Sequence, residues 1–255
     1  MPDFRADSHF VSGVRLSANH DARAPGAAVD ILLLHYTGMT TTAAAIERLC
    51  DPAAKVSSHY VIDEDGKILQ LVPEHRRAWH AGVSSWQGVS DINSRSIGVE
   101  IGNPGHDFGY PDFPEAQVEA LIALAHDIVA RHRIPADRVL AHSDVAPRRK
   151  RDPGEKFPWQ QLQQAGIGAW VEPAPLAGKG VAIGPGTKGA DVARLQAALK
   201  RYGYEIEKSA LYDENTATVI TAFQRHFRPA RVDGLADRST VETLRALLAA
   251  RGEAL

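Results

Sequence analysis

The run VDILLLHYTG, from Val29 to Gly38, sets four branched aliphatic residues in a row and then stops on a histidine. An apolar block of this kind is the pattern of a strand covered on both faces, and it is far too short to cross a bilayer. Whatever fold the chain adopts must therefore supply cover above and below this strand. His35 sits where the core strand meets solvent. A strand-end histidine is by itself commonly a hydrogen-bonded structural residue, so its meaning depends on what else reaches the same edge.

From Val29 to about Ser143, strand-like and helix-like segments alternate, with β-rich runs VDILLLHY, SSHYVID, KILQLVP, SIGVEI and RVLAHS. Glu64-Asp65-Gly66 reads as a hairpin turn between the second and third runs. In FPEAQVEALIALAHDIVARH, Pro114 opens a helix at its first position, and Val118, Leu121, Ile122, Ala125 and Ile128 share one face. A shorter helix is predicted from Thr41 to Leu49. Hairpins mixed with helices predict an α/β unit, a mixed sheet flanked by helices, rather than a uniformly wound parallel sheet.

After Trp159 the character changes. EPAPLAGKGVAIGPGTKG concentrates Pro, Gly and Ala without periodicity, as a linker does. Beyond it, Val192, Leu195, Leu199 and Tyr202 form one stripe, Val219, Ile220, Phe223 and Phe227 a second, and Val241, Leu244 and Leu248 a third. Asp213 and Asp237 are placed to cap the second and third helices, with Asp233-Gly234 as a turn. The expected organisation is an α/β domain over 1–172, a linker over 173–185 and a small all-α three-helix domain over 186–255, the last closing a core of its own.

At 44% hydrophobic and 24% charged residues, with a formal net charge of -2, the chain has ordinary globular composition and lacks the basic excess of a nucleic-acid binder. Its single cysteine, Cys50, permits no intrachain disulfide. No run is long enough for a membrane span, and the first thirty residues are polar and broken, without the apolar core of a signal peptide. A cytoplasmic location is the formal expectation, with delivery to the periplasm or envelope by a non-standard route as the alternative.

Chemistry gathers in AHSDVAPRRKRDPG, Ala141 to Gly154. His142 ends a predicted strand as His35 does, so the two can meet on one rim of a sheet, and Asp152 follows ten residues later. Two imidazoles and a carboxylate are a zinc-binding set of the catalytic kind, which leaves a position open for water. The competing reading makes Asp152 a turn cap and His142 a satisfied strand-end residue. Glu100 lies in the otherwise apolar strand SIGVEI, where a carboxylate is costly to bury, and is either a paired structural glutamate or a general base. Lys150, two residues before Asp152, could stabilise an oxyanion or be a solvated charge in the RRKRD run.

The segments LLLHYT, SSHYVIDEDGKILQLVPE, AWHAG, NSRSIGVEIGN, YPDFPEAQVEAL and AHSDVAPRRKRDPGEKFPW together resemble the zinc-dependent N-acetylmuramoyl-L-alanine amidases of the AmpD and AmiD kind, related to the peptidoglycan recognition proteins. The resemblance spans about Val29 to Trp159. It implies that His35, His142 and Asp152 bind Zn2+, that Glu100 is the catalytic acid/base, and that Lys150 assists at the transition state. The tail resembles a three-helix peptidoglycan-binding domain over about Gly186 to Ala249, through its Leu-Gln and Phe-Gln pairs and its Asp-Gly turn. The implied partner is peptidoglycan or a muropeptide, and the implied reaction is hydrolysis of the amide joining N-acetylmuramic acid, or its 1,6-anhydro form, to the L-alanine of the stem peptide. Tyr36, Trp79 and His80 are expected to line the cleft, and Asn93 and Arg95 to meet stem-peptide carboxylates. His59 is expected to orient the sheet, and His9, His20, His106, His126, His132 and His226 to have surface or helix roles. Two rivals stand beside this reading, a recognition or anchoring protein that does not cut and a zinc peptidase acting within the stem.

Overall fold

The computed structural model describes residues 4–176 and 182–253, so residues 177–181 of the expected linker lie outside the described residues. The strands are β1 (Gly13–Val14), β2 (His20–Ala22), β3 (Ile31–Tyr36), β4 (Tyr60–Ile62), β5 (Ile68–Gln70), β6 (Arg76–Ala78), β7 (Ser96–Ile101) and β8 (Val139–Ala141). The helices are α1 (Thr42–Cys50), α2 (Ile92–Arg95), α3 (Glu115–His132), α4 (His142–Val145), α5 (Trp159–Gln164), α6 (Ala190–Tyr202), α7 (Glu214–Phe227) and α8 (Arg238–Ala250). None of the helices among the described residues is long and apolar enough to cross a membrane.

Six strands form one sheet in the order β1-β5-β4-β7-β3-β8. It is mixed, as the hairpin turn required: β4 and β5 are antiparallel, while β4, β7, β3 and the edge strand β8 run parallel. The polar first thirty residues nevertheless add β1 to the sheet edge and pair β2 with β6 in a second small sheet. Two- and three-residue strands carry too little periodicity to be read in advance.

Strand β3 is covered on both faces by different parts of the chain. Because side chains alternate along a strand, Leu32 and Leu34 face α3 and pack with Val118, Leu121, Leu124 and Ile128. Ile31 and Leu33 point the other way, and with Leu140, Val145 and Trp86 they share one buried cluster with Leu199, Tyr204, Phe223 and Phe227 of the tail. The apolar stripes of the three-helix unit pack in a core that is continuous with these residues of the sheet. The unit provides the second layer that the apolar block at Ile31 demanded.

Inside the tail, the repeated Leu-Gln and Phe-Gln pairs have a physical reading. Gln196 and Gln224 are fully buried. Gln196 donates to the Leu211 carbonyl at 2.9 Å and accepts from Ala210 N–H at 3.0 Å. Gln224 donates to the Leu235 carbonyl at 2.9 Å and accepts from Gly234 N–H at 2.8 Å. Each amide thus pins the loop that leads into the next helix, where Asp213 caps α7 through Thr216 N–H and Asp237 caps α8 through Thr240 N–H, both at 2.8 Å.

A buried carboxylate ties the hairpin to the end of α3. Glu74 accepts from the Tyr60 hydroxyl at 2.6 Å, from Arg131 at 2.8 Å and from His132 at 2.7 Å. Burial alone would raise this carboxyl, but Arg131, His132 and Tyr60 together hold it well below the usual carboxylate range. A group depressed in the folded state stabilises fully above its unfolded value near ~4.3 and progressively less as pH falls below it. Glu74→Gln should therefore destabilise by roughly 1–3 kcal/mol at neutral pH, less than a fully buried pair because Arg131 is partly solvated. Chemical denaturation at a series of pH values should show the gap between wild type and variant closing below about pH 4.

Candidate active site

Register assembles the site. In the parallel β3/β7 ladder His35 pairs with Glu100, so both side chains leave the same face at the same level. On the other flank Leu34 pairs with Ala141, which sets His142 beside His35 one residue past the end of β8. Asp152 returns to this rim because its carbonyl accepts from Ser143 N–H at 3.0 Å. The three ligand candidates are buried, and their atoms form a tight triangle: His35 Nδ1 lies 2.8 Å from His142 Nδ1 and 3.2 Å from Asp152 Oδ2, and His142 Nδ1 lies 2.9 Å from Asp152 Oδ2. Among the described residues this trio is the group of donors placed to hold a metal ion.

The hydrogen bonds behind the triangle fix what its atoms offer. His142 Nε2 faces the Ala81 carbonyl at 3.1 Å, an acceptor only, so Nε2 carries the hydrogen and Nδ1 presents a lone pair. Ser96 gives its hydroxyl hydrogen to the Ile92 carbonyl at 2.7 Å, leaving its oxygen to accept from His80 Nε2 at 3.3 Å. His80 Nδ1 is then an acceptor for His35 Nε2–H at 3.0 Å, and His35 Nδ1 is also a bare lone pair. Burial, followed by the neighbouring His142, pushes His35 down to about 4, which keeps it neutral. Two imidazoles that turn Nδ1 inward and a carboxylate, all converging on one point, are a fitting set for a divalent ion. With metal–ligand bonds of ~2.0–2.1 Å, a tetrahedral shell has edges of roughly 3.3 Å, near the separations seen.

Glu100 and Lys150 both line the cleft in front of this triangle, about 310 Å³ in volume, together with Tyr36, Met39 and Arg48. Glu100 Oε2 is buried without a hydrogen-bond partner among the described residues. Burial and then the charge of Asp152 push the Glu100 carboxyl well above its ordinary value, while Lys150 pulls it down. Tyr36 donates to or accepts from His106 Nδ1 at 3.0 Å, and His106 stacks on Tyr110 with ring centroids 4.2 Å apart. His106, in the short 3-10 helix His106–Phe108, thus supports Tyr36, which lines the cleft.

The remaining expected contacts divide. His80 borders the cleft, but it is committed to His35 and Ser96 and serves as the brace behind His35. Gly98 makes room for it, because a Cβ there would lie 2.6 Å from the His80 ring. His59 orients the sheet as expected, accepting from Gly98 N–H at 3.0 Å. Asn93 is buried and its Oδ1 accepts from His80 N–H at 3.1 Å and Ala81 N–H at 2.8 Å, so it holds the loop carrying that brace. Trp79 is half-buried and is not among the described residues that line the cleft. Arg95 lies at the start of β7, the opposite end from Glu100, and pairs there with Asp30, which also accepts from Arg138 at 2.6 Å. Five residues of strand at ~3.3 Å each put it about 16 Å from the catalytic rim. Besides Lys150, Arg48 on an exposed face of α1 lines the cleft, and no motif in the sequence points to it.

Residues 25–155 match the family model described as N-acetylmuramoyl-L-alanine amidase, and residues 188–244 match a peptidoglycan binding domain. The N-acetylmuramoyl-L-alanine amidase AmiD of Escherichia coli K12 is 41% identical over 257 residues, covering 94% of this chain and 90% of that protein. The chain belongs to the N-acetylmuramoyl-L-alanine amidase family. The 1,6-anhydro-N-acetylmuramyl-L-alanine amidase AmpD of Enterobacter cloacae is 42% identical, over 42% of this chain and 55% of its own length. Among solved structures, E. coli AmiD in complex with the substrate anhydro-N-acetylmuramic acid-L-Ala-D-gamma-Glu-L-Lys aligns with a TM-score of 0.76 at 40% identity, covering 91% of this chain and 93% of that one. AmpDh3 from Pseudomonas aeruginosa in complex with anhydromuramic pentapeptide aligns at 0.72 and 31% identity, over 98% and 99%. The amidase resemblance drawn from the motifs is thus upheld in both family and fold.

Arg95 gives the plainest check on how this amidase's residues are sorted. Arg95→Ala should lower stability by roughly 1–2 kcal/mol through loss of its contacts with Asp30. Its kcat/KM should stay within about twofold of wild type at a temperature where both are folded. A KM raised tenfold or more would return Arg95 to the substrate.

Proposed function

We propose that this amidase hydrolyses the amide between the lactyl group of N-acetylmuramic acid, including its 1,6-anhydro form, and L-alanine, with Zn2+ held by His35, His142 and Asp152. The observation that carries the proposal is the triangle of lone pairs directly before a buried, unpartnered Glu100 oxygen. The complexes of E. coli AmiD and P. aeruginosa AmpDh3 with anhydromuramyl peptides support the choice of substrate. When bound, zinc supplies Lewis acidity toward the scissile carbonyl and makes water nucleophilic near neutral pH.

The protein's own residues do the rest. Glu100 accepts the proton of the attacking water at Oε2 and returns it to the departing alanine nitrogen, which is a poor leaving group until protonated. Lys150, whose ammonium has no ion-pair partner among the described residues, donates to the oxygen on which negative charge develops. Arg48 stands at the cleft edge, where it would meet a carboxylate of the stem peptide. His80 and Asn93 keep His35 in one tautomer and orientation throughout.

Glu100→Gln should lower kcat on a soluble anhydromuramyl peptide by roughly 100- to 10,000-fold while zinc content stays near one per chain. Near-normal turnover in that variant would remove Glu100 from the reaction. Chelation should abolish wild-type activity and added zinc restore it. Mass analysis of the digest should show free sugar and an intact stem peptide. A shortened stem still attached to its sugar would favour a peptidase instead. Arg48→Ala should raise KM by roughly tenfold, equivalent to one charge-assisted hydrogen bond, with kcat little changed.

A further inference from the structure

Asp144 is the third residue of α4, the turn that opens with His142, and nothing in the reaction above uses it. Its carboxylate is almost completely buried. Three donors converge on it: Ala141 N–H at 2.8 Å, the Tyr204 hydroxyl at 2.7 Å and His226 Nδ1 at 2.7 Å. The last two come from the tail. A carboxylate withdrawn from water is tolerated only where donors replace its hydration, so α4 is held to wherever Tyr204 and His226 stand.

Those two donors are themselves locked against the catalytic unit. Tyr204 packs edge-on against Trp86 with centroids 5.0 Å apart, and His226 stacks on Trp159 at 3.7 Å. From α4 the constraint passes into the site through the backbone. Ser143 N–H donates to the Asp152 carbonyl, Ala146 N–H to the His142 carbonyl and Lys150 N–H to the Ala146 carbonyl, each at 3.0 Å. One turn therefore sets the places of two ligand candidates and of the lysine.

We propose that Tyr204 and His226 are positioning residues of the amidase: through Asp144, the three-helix unit fixes the turn that presents His142 and Asp152 to the metal. This goes beyond a role for that unit in gripping wall polymer, and it rests on the reading of His35, His142 and Asp152 as a metal site. Partners behind metal ligands commonly govern affinity by ~10- to 100-fold, because they fix ligand orientation.

The test compares full-length wild type with Tyr204→Phe, His226→Gln and a control, Arg251→Gln. Arg251 pairs with Asp137 at 3.0 Å, also across the contact between tail and catalytic unit, but just before β8 and so at the opposite end of that strand from His142. Zinc affinity is read by competition with a chromophoric chelator, coordination by the visible bands of the cobalt-substituted protein, and stability by Tm. Tyr204→Phe and His226→Gln should each weaken zinc binding by about 10- to 100-fold, alter the cobalt bands, and lower kcat with KM little changed. Arg251→Gln should lower Tm alone, with zinc affinity and cobalt bands as in wild type. Unchanged affinity and bands in both tail variants would overturn the proposal, as would an equal loss in the control, since that would mark general loosening. A wild type that takes up no zinc would contradict the metal-site reading itself, a result distinct from either of these.

Discussion

Three acceptor atoms, His35 Nδ1, His142 Nδ1 and Asp152 Oδ2, face one another at 2.8 to 3.2 Å with the imidazole hydrogens already engaged behind them. In their neutral forms, imidazoles whose outward nitrogens are so engaged cannot satisfy one another or the carboxylate. A divalent cation relieves all three at once, and much of the surrounding structure serves to hold this otherwise repulsive arrangement. His80 and the Ala81 carbonyl take the outward hydrogens, Asn93 secures the loop that supplies both, and the lack of a Cβ at Gly98 lets the His80 ring lie against the sheet. Glu100 shares the constraint, because the parallel register that sets it level with His35 also withdraws its Oε2 from water, where its charge is costly.

The two-sided strand at Ile31 links this site to the whole chain. Alternation sends Leu32 and Leu34 to α3 and Ile31 and Leu33 to the tail, and the next residue on the tail-facing side is His35. The candidate metal site thus lies on the same sheet face as the junction between the two units, one step farther along the strand. A module whose relatives are peptidoglycan-binding domains is here also a wall of the catalytic core.

Much of this was legible in the residues. His35 and His142 stood at the ends of apolar runs, Glu100 was a charge within a buried strand, and the caps at Asp213 and Asp237 followed from side-chain chemistry near the backbone. These are local signals, and local signals survive without coordinates. Asn93 and Arg95 were placed by proximity in sequence to the Glu100 strand, which says nothing about which end of that strand carries the rim where His35 and Glu100 stand. Direction along a strand is settled only by how it pairs. His226 and Asp144 were unreadable for a related reason: their partners lie 82 residues apart, and neither sits in a motif whose spacing implies the other. The tail stripes correctly announced three helices, but an apolar stripe cannot reveal whether it packs on its own unit or on a neighbour.

The central claim is the coordination set, and X-ray absorption at the zinc edge of the purified full chain tests it most directly. The account predicts one zinc bound by two imidazole nitrogens and a carboxylate oxygen, with the imidazole scattering reduced in both His35→Ala and His142→Ala. Zinc bound without imidazole scattering, or scattering unchanged by either substitution, would contradict it.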